Sequence, residues 1–431
     1  MSKRILVWFR NDLRIHDNEV LLEASLKGDV VIPVYCFDPR HYAITKYGTS
    51  KTGPIRAQFI LESVADLKQN LQALGGDLIS LIGKPEEEIP KLAMQYDINE
   101  VYHHREVAPE EIEISERVEA ALWKHQINLK HYIGHTLYHK EHLPFPIKDI
   151  PDVFTNFRKK VEKESAVRPC FANPTSICIP ENLVAGYLPS LVELGYEERF
   201  NVDARAVLQF RGGESGGLKR MQEYFWEHDA LKSYKITRNG LLGANYSSKF
   251  SPWIALGCLS PRKVYWEIKK YEQERVANES TYWLIFELLW RDYFRFMFKK
   301  YGNKFFLKAG FKGQAPAEAP NQQELFDRWK LGQTGVPLID ANMRELNATG
   351  FMSNRGRQNT ASYLVKVLKV NWTWGAAYFE EKLIDYCPAN NWGNWAYVAG
   401  VGNDPREDRI FNTAKQAQMY DPEGEYVQLW S

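Results

Sequence analysis

Short apolar runs alternate with helical patterns over roughly the first third of the chain. Five segments rich in β-branched and aromatic residues are predicted as strands: Ile5–Phe9, Val30–Phe37, Asp77–Ile82, Glu100–His103 and Asn128–Tyr132. Between them, apolar residues recur with helical spacing over Glu19–Leu26, Ile55–Leu74, Pro85–Gln95 and Pro109–His125. This alternation predicts a parallel sheet wound with crossover helices. No GxGxxG motif follows the first strand, so nothing supports the dinucleotide-binding version of this architecture.

The alternation stops at Gly134, where an irregular stretch begins that extends to about Arg205. Seven prolines interrupt this stretch, and one helix is predicted in it, Val153–Glu164. Beyond it nearly every segment has helical spacing: Leu218–His228, Pro252–Leu256, Pro261–Gln273, Thr281–Lys300, Asn321–Leu331, Leu338–Leu346, Asn354–Val370 and Ala376–Ile384. The predicted fold is therefore an α/β domain over residues 1–133, an interdomain linker over 134–204 and an all-α domain over 205–431.

The composition is that of a globular protein, with 44% hydrophobic and 25% charged residues. The net charge is only +1, so any surface for nucleic acid must be a local patch. No apolar run is as long as a membrane span, and the apolar segment at the start is too short for a signal peptide. Five cysteines lack CxxC or metal-ligand spacing. We therefore expect reduced thiols in a cytoplasmic protein, and no metal site. A monomer is expected as well.

One stretch near the end, residues 332–397, has an unusual mixture of residues. It combines arginines, amides and carboxylate groups with apolar runs and four tryptophans, Trp372, Trp374, Trp392 and Trp395. Such a mixture suits a pocket for a large flat heterocycle, in which rings stack and a few polar groups set the orientation. An aromatic-rich core with capped helices explains the composition equally well.

The segment SSKFSPW has the features of a helix N-terminus. Ser251 is a good N-cap and Pro252 fits the first helical position, so a helix is predicted to begin here. Hydroxyl groups and Lys249 precede it, and free backbone N–H groups at such an end are suited to bind phosphate. An ordinary cap with exposed serines is the alternative.

A second helix start is predicted at Ser353, which should cap the helix that follows. Asn354 and Gln358 then fall on one face, four residues apart. Arg357 lies on a neighbouring face and is available to a carboxylate such as Asp385. That pair is interpreted either as a salt bridge between helices or as the same salt bridge holding a ligand amide.

Glu287, in the long helix that contains ELLWRDYF, can be interpreted in two ways. Glu287 and Arg291 are four residues apart and suit a helical ion pair. Glu287 also shares a face with Trp290 and Phe294, which places a carboxylate on an apolar surface, where substrate imide groups would be suitable partners.

Basic residues dominate the same helix and the segment after it. Asp292 is the only acidic residue in this stretch, which contains seven basic ones: Arg291, Arg295, Lys299, Lys300, Lys304, Lys308 and Lys312. This stretch is predicted to contact phosphates, with a merely solvated face as the alternative.

Several long motifs in one order carry a family resemblance that covers essentially the whole chain. They are VWFRNDLRIHDN, YKITRNGLLGANYSSKFSPWIALGCLSPR, ELLWRDYFRF, DANMRELNATGFMSNRGRQN, GNWAYVAGVGND and KQAQMYDPEGEYVQLW. By these motifs the chain resembles the photolyase/cryptochrome family and, within it, the DASH-type cryptochromes.

The resemblance implies two cofactors. The helical domain would bind FAD through Tyr234, Ser247, Ser248, Lys249, Phe250, Ser251, Arg291, Arg357, Asp385 and Asn391. Among these, Tyr234 and the serine segment match phosphate-binding positions, and Arg357 and Asp385 match the pair at the isoalloxazine edge. Asn391 matches the residue that faces flavin N5, where an amide suits a photolyase-type redox cycle. Glu106 matches the glutamate that binds a methenyltetrahydrofolate antenna.

The resemblance also implies a substrate and a mechanism. Glu287, Trp290, Asn354, Gln358 and Tyr397 match the pocket for a cyclobutane pyrimidine dimer, and Arg238, Arg355 and Arg409 match phosphate contacts. Blue light would drive an electron from the reduced flavin to the dimer and back, with Glu287 and Asn391 in catalytic positions. The dimer must leave the base stack, which is cheapest in single strands. Single-stranded DNA is the expected partner, and RNA stays open.

Two departures from the family pattern concern electron transfer and redox tuning. Trp395 and Trp372 match the first two members of an electron-transfer chain, but Ala319 stands where a third tryptophan is expected. Either photoreduction is weak or Trp374, Trp392 or a tyrosine takes over as terminal donor; we favour the second. Cys387 replaces the usual aspartate, so a change in flavin redox tuning is expected.

Three functions compete. Light-driven repair of cyclobutane dimers, mainly in single-stranded DNA, is preferred. The first alternative is a blue-light photoreceptor with little or no repair; the chain ends soon after Trp430, which argues against an output tail. The second is a (6-4) photolyase, disfavoured because Ser353 and Gly356 stand where that chemistry needs histidine.

Overall fold

The computed structural model describes residues 2–198, 201, 203–406 and 409–431. Its N-terminal part contains a five-stranded parallel sheet in the order β3-β2-β1-β4-β5. The strands are β1 (Arg4–Phe9), β2 (Val30–Phe37), β3 (Ile79–Ile82), β4 (Glu100–His104) and β5 (Asn128–Tyr132), and the helices between them are α1 (Glu19–Lys27), α2 (Pro54–Ala73), α3 (Pro85–Gln95) and α4 (Pro109–Trp123). The predicted α/β architecture is confirmed. The third strand begins later than predicted, because the Asp77 carboxylate accepts hydrogen bonds from Leu78 N–H and Lys68.

Helices make up nearly all of the rest. The linker contains α5 (Phe154–Glu164), and the later helices are α6 (Glu214–Gln222), α7 (Tyr234–Thr237), α8 (Ser251–Ala255), α9 (Pro261–Glu274), α10 (Glu279–Tyr301), α11 (Gln322–Lys330), α12 (Pro337–Thr349), α13 (Asn354–Ser362), α14 (Trp372–Lys382), α15 (Pro388–Ala399), α16 (Thr413–Tyr420) and α17 (Glu425–Leu429). Turns of π-helix, Glu223–Glu227 and Tyr363–Val367, follow α6 and α13. The all-α prediction is confirmed, and the boundaries at 133/134 and 204/205 stay predictions. No helix in the described ranges is long and apolar enough to cross a membrane.

The two faces of the sheet pack against different partners. Leu6 and Trp8 of β1 point into a cluster with residues of α3 and α4. Ile5, Val7 and Phe9 point to the opposite side, into the large core that continues through the helical domain. Since successive side chains of a strand alternate between faces, one sheet joins both cores. The helical domain is therefore built directly on the sheet.

Buried polar contacts fix the loop after β1 against the helical domain. Asp17 accepts two hydrogen bonds from Arg262, at 3.0 and 2.7 Å. Arg14 is buried and donates to the carbonyl of Gly257 at 2.8 Å. A buried charge is stable only when it is paired or hydrogen-bonded in this way. These contacts set the position of α8, which follows one of the predicted binding segments.

Candidate functional site

A cavity of about 690 Å³ opens in the helical domain. Its lining contains most of the predicted site residues, namely Tyr234, Arg238, Ser247, Ser248, Lys249, Phe250, Ser251, Glu287, Trp290, Arg291, Asn354, Arg357, Gln358, Asp385, Tyr397 and Arg409. These residues come from segments far apart in the sequence, so the fold gathers them in one place. Its volume lies within the range of small-molecule and cofactor sites.

An arginine–carboxylate pair forms one wall of the cavity. Arg357 Nη2 donates to Asp385 Oδ2 at 2.8 Å, and Arg357 Nε donates to the carbonyl of Met352 at 2.9 Å. The Ser353 side chain caps α13, as predicted, by accepting from Gly356 N–H at 3.0 Å. The other oxygen of Asp385, Oδ1, is buried and has no hydrogen-bond partner within the described residues. A ligand N–H group would satisfy it, which fits a flavin edge.

The serine–lysine segment lies at the start of α8. The helix begins at Ser251, and Phe250 occupies the cap position without a side-chain hydrogen bond. The prediction that Ser251 is the N-cap is therefore wrong by one residue. The cause is Lys249, whose positive φ of 55° turns the chain one step before the cap. Its Nζ donates to the carbonyls of Gly243 and Ala244 at 3.2 and 3.0 Å.

Burial makes Lys249 sensitive to a bound anion. Burial, followed by the charge of Arg220, lowers the pKa of Lys249 to about 6. A phosphate in the cavity would favour the protonated form and so raise this pKa. The predicted phosphate contact is compatible with this arrangement.

The carboxylate of α10 faces the cavity beside an aromatic wall. Glu287 Oε1 accepts from Arg238 Nη1 at 2.6 Å, and burial raises the pKa of Glu287 although this arginine opposes the shift. The alternative ion pair with Arg291 does not form. Arg291 instead donates to the carbonyls of His135 and Ile254, because the linker and α8 pack against its side of α10.

Three rings build the wall beside Glu287. Trp290 is stacked on Phe154, with centroids 3.7 Å apart and planes 14° apart. Tyr397 meets Trp290 edge-to-face at 5.8 Å, and its hydroxyl accepts from Arg406 Nη2 at 2.8 Å. Asn354 is exposed at the mouth, whereas Gln358 is half-buried. A flat ring could stack here with polar groups at its edge.

The positively charged rim of the cavity comes from residues that the helical spacing did not reveal. Arg406 and Lys366 line the cavity and were not predicted. Arg409 is exposed, with its guanidinium 4.4 Å from the ring centroid of Phe411. Arg355 does not line the cavity and donates to Asn239 Oδ1 at 3.0 Å. The signal for Arg406 was the short charged sequence NDPREDR that follows α15.

The basic stretch along α10 does not form the predicted phosphate-contacting patch. Arg295 is buried and lies 2.9 Å from Glu106 Oε2. Lys300 and Lys308 pair with Asp152 and Glu318, at 2.8 and 2.6 Å. Acids from distant segments thus neutralise three of the seven cations, and Arg291 and Lys312 donate to backbone carbonyls, so the stretch is not the continuous basic patch that was predicted.

The two predicted relay tryptophans are buried behind the cavity rather than in its lining. Trp395 contacts Trp329 edge-to-face, with centroids 6.1 Å apart. Trp372 contacts Trp392 at 5.9 Å, and Trp392 lies 6.4 Å from the half-buried ring of Tyr47.

Two further positions from the sequence analysis lie close to these rings. Asn391 is buried, and its Nδ2 donates to the carbonyl of Ala376 at 2.9 Å, which leaves the side-chain oxygen as the atom for other contacts. Cys387 is buried with Sγ 3.8 Å from Arg295 Nη1. Neither residue lines the cavity.

Glu106 lies outside the cavity, at the contact between the two domains, and is 1% exposed. Its Oε1 accepts from Asn11 at 3.1 Å and contacts His135 Nε2 at 3.0 Å, while Oε2 contacts Arg295. Protein partners therefore occupy both oxygens. Since a carboxylate oxygen can accept more than one hydrogen bond, these contacts do not test the predicted antenna at Glu106, which stays a prediction.

Glu106 also stands between two histidines, His104 and His135, in an arrangement that resembles a metal-ligand set. His104 Nε2 accepts the Gly134 N–H at 2.5 Å, so the proton of the neutral ring is on Nδ1, the atom that faces Glu106. A protonated nitrogen cannot bind a metal ion, and the Arg295 cation is adjacent. The chemistry of this cluster is that of a buried ion pair.

Comparison with known proteins agrees with this geometry. A family profile described as DNA photolyase matches residues 5–175, and one described as FAD binding domain of DNA photolyase matches residues 283–431. The chain is 52% identical to Cryptochrome DASH of Synechocystis sp. over 99% of this chain and 87% of the relative. It is 50% identical to Cryptochrome DASH of Xenopus laevis over 100% of this chain and 82% of the relative.

Solved structures give the same result. The crystal structure of a Synechocystis sp. cryptochrome is 52% identical and superposes with a TM-score of 0.96, covering 100% of this chain and 89% of that chain. A bacterial class III photolyase from Agrobacterium tumefaciens is 26% identical, with a TM-score of 0.84 over 100% of this chain and 86% of that one. The chain therefore belongs to the photolyase/cryptochrome family, within its DASH branch, and carries that family's FAD-binding domain.

Proposed function

We propose that this protein repairs cyclobutane pyrimidine dimers, mainly in single-stranded DNA, with energy from blue light. The observation that carries the proposal is the juxtaposition in one cavity of two different polar sites. Asp385, with its unpartnered oxygen, suits the flavin. Glu287, held by Arg238 beside Trp290, suits the imide and carbonyl groups of a pyrimidine dimer. Cofactor and lesion would thus lie side by side in one cavity.

The chain's own groups bind and orient. FAD, when bound, reduced and excited by light, supplies the electron that opens the cyclobutane ring and then takes it back. Arg357 and Asp385 would fix the flavin edge, and the wall of Trp290 and Tyr397 would receive the flipped bases. Glu287, with its raised pKa, would hydrogen-bond the pyrimidines where charge develops in the transition state.

The preference for single strands rests on the size of the wall and the cost of flipping. A duplex must lose pairing and stacking before the dimer can enter, at a cost of a few kcal/mol. Tyr397 offers a smaller stacking surface than a tryptophan would. Rim arginines, including Arg409, line the cavity and would contact strand phosphates. Four further predictions belong to this proposal. They are a cytoplasmic location, a monomeric state, a folate antenna at Glu106 and RNA as a further ligand.

Glu287→Gln should lower the rate of dimer repair by about 100-fold while flavin stays bound. The amide keeps the shape of the side chain but loses the charge-assisted bond to Arg238. Repair is measured by the loss of dimers from a single-stranded oligonucleotide under blue light. Glu279→Gln, on the exposed first turn of the same helix, is the matched control and should repair normally. Equal repair by both variants would exclude a role for Glu287.

Trp395→Phe should slow photoreduction of the bound flavin by about tenfold or more, since phenylalanine is much harder to oxidise than tryptophan. We further expect Trp392→Phe to slow it and Trp374→Phe to have little effect. Trp392 contacts both Trp372 and Tyr47, whereas Trp374 is separated from Trp329 by the ring of Phe326. Photoreduction is measured by the change in flavin absorbance under blue light, with an external thiol present. Unchanged photoreduction rates in both Trp392→Phe and Trp374→Phe would contradict the hypothesis that one of these tryptophans acts as the terminal electron donor.

A blue-light photoreceptor with little or no repair is the second candidate. The specific observation in its favour is the aromatic contact from Trp372 through Trp392 to Tyr47 in the α/β domain. A charge moving along these rings would link flavin photoreduction to the domain contact. A protein that photoreduces its flavin normally but leaves dimers intact would favour this candidate.

A further inference from the structure

Tyr386 lies in the segment between α14 and α15 and is half-buried. The indole N–H of Trp392 donates to the Tyr386 hydroxyl oxygen at 3.3 Å. Trp392 in turn contacts Trp372 edge-to-face, with ring centroids 5.9 Å apart. Direct contacts therefore lead from one of the two predicted relay tryptophans to the hydroxyl group of a tyrosine.

Two buried charged residues, one from each domain, are neighbours of Tyr386. The guanidinium of Arg56, on α2, is 4.6 Å from the ring centroid of Tyr386, within the range of a cation–π contact. Glu380, on α14, is the second. Burial, and after it the charge of Glu380, raises the pKa of Tyr386. At neutral pH the hydroxyl group therefore keeps its proton until the ring is oxidised.

Glu380 has the properties of a proton acceptor for this hydroxyl group. The oxygen of Tyr386 already accepts the Trp392 N–H, so its own O–H is free to donate to another group. Burial raises the pKa of Glu380, while Arg56, Lys51 and the Tyr386 hydroxyl oppose the shift. A carboxylate of raised pKa is a stronger base than an exposed one, and the Arg56 charge favours its ionised form. Tyr386 thus has both an electron acceptor and a proton acceptor as neighbours.

Tyr47 is a second tyrosine in contact with Trp392, at 6.4 Å between ring centroids. It receives no hydrogen bond from the indole, whose single N–H is donated to Tyr386. The cation beside the Tyr47 ring is the exposed Lys46, with Nζ 5.1 Å from the centroid. Tyr386 is therefore the better electron donor of the two, because it combines a hydrogen bond from the indole with a buried carboxylate that can take its proton.

We infer that Tyr386 is the terminal electron donor for photoreduction of the flavin and that it releases its proton to Glu380. The oxidant is the Trp392 radical cation, formed after light-excited, oxidised flavin has drawn an electron by way of Trp372. Tyr386 gives one electron to Trp392 and its phenolic proton to the Glu380 carboxylate. The products are neutral Trp392, a neutral tyrosyl radical and a carboxylic acid. Arg56 favours this outcome, since an adjacent cation disfavours a positively charged radical. The inference rests on the photoreduction expected above but not on dimer repair.

Electron paramagnetic resonance tests the donor directly. Protein with bound, oxidised flavin and no DNA is frozen during illumination with blue light. We expect the spectrum of a neutral tyrosyl radical, which narrows when the tyrosines of the protein carry ring deuterium and does not change with deuterated tryptophan. Tyr386→Phe keeps the ring beside Arg56 and should lose the tyrosyl signal, whereas Tyr47→Phe should keep it. Thermal unfolding and flavin content show that each variant is folded and loaded.

A second pair of variants tests the proton acceptor. Glu380→Gln removes the base and should lose the tyrosyl signal. Glu381→Gln is the matched control and should keep it, since Glu381 accepts the Ser50 N–H at 2.9 Å. Equal signals in these two variants would overturn the proton transfer to Glu380.

Three results would overturn the assignment of the donor. They are a tyrosyl signal that survives in Tyr386→Phe, its loss in Tyr47→Phe, and an illuminated wild-type protein with only a tryptophan radical or no radical. Dimer repair is assayed separately, with chemically reduced flavin. A Tyr386 radical in a protein that fails to repair dimers would contradict the proposed function and support this inference, and repair without that radical would do the reverse.

Discussion

Arg357→Ala should yield a folded protein that has lost its flavin. Arg357 donates the 2.8 Å hydrogen bond that pairs the Asp385 carboxylate, whose side chain is 1% exposed. Removal of the arginine leaves a buried charge without a partner. We expect a loss of unfolding free energy of about 2 kcal/mol, at the low end for buried pairs because water can enter the cavity. Flavin affinity should fall by about 100-fold, since a charge-assisted contact is also lost.

Two further variants distinguish these effects. Asp385→Asn in the Arg357→Ala background removes the unpaired charge, so stability should recover while flavin binding should not. Arg344→Ala is the matched control, since Arg344 donates to the carbonyl of Trp430 outside the cavity. Thermal unfolding and the flavin absorbance of the purified protein measure the two outcomes. Normal flavin content in Arg357→Ala would contradict the assignment of this wall to the flavin.

Gly257→Ala should destabilise the junction of the two domains by more than about 3 kcal/mol. Gly257 has a φ of +67°, and an added Cβ would lie 1.9 Å from the carbonyl oxygen of Asn11 and 2.7 Å from Asp12 Cα. Both are backbone atoms, so the clash can be relieved only by moving the β1 loop away from α8. That movement would also break the hydrogen bond from Arg14 to the Gly257 carbonyl.

Gly243→Ala provides the control for backbone strain alone. Gly243 has a φ of +83°, but nothing lies within 4 Å of its added Cβ. The expected loss is only about 1 kcal/mol. Thermal unfolding midpoints compare the two variants, and similar midpoints would show that the domain contact at Gly257 contributes little.

The elements of the fold that were predictable are those with a strong local pattern. The β-branched runs of the sheet and the helices between them match the expected spans closely. The helix α15 was not predicted, because PANNWGNW is rich in asparagine, glycine and tryptophan, which have weak helical propensity. Pro388 at its first turn was the available signal.

The site was predictable as a set of residues but not as a set of contacts. The family resemblance identified Glu287 and Asp385, yet the partner of Glu287 is Arg238, 49 residues away and just after α7. The charge pattern along α10 was misleading for the same reason, since Arg295 is neutralised by Glu106 from the other domain. Ion pairs between distant segments depend on packing, which a local pattern does not contain.

Repair of a thymine dimer under blue light tests the central claim most directly. Matched single- and double-stranded oligonucleotides, each with one cyclobutane dimer, are incubated with protein whose flavin is fully reduced, and intact thymines are counted after illumination. The account predicts efficient repair in the single strand, slower repair in the duplex and none in the dark. Illuminated protein with reduced flavin that leaves the single-stranded dimer intact would contradict it.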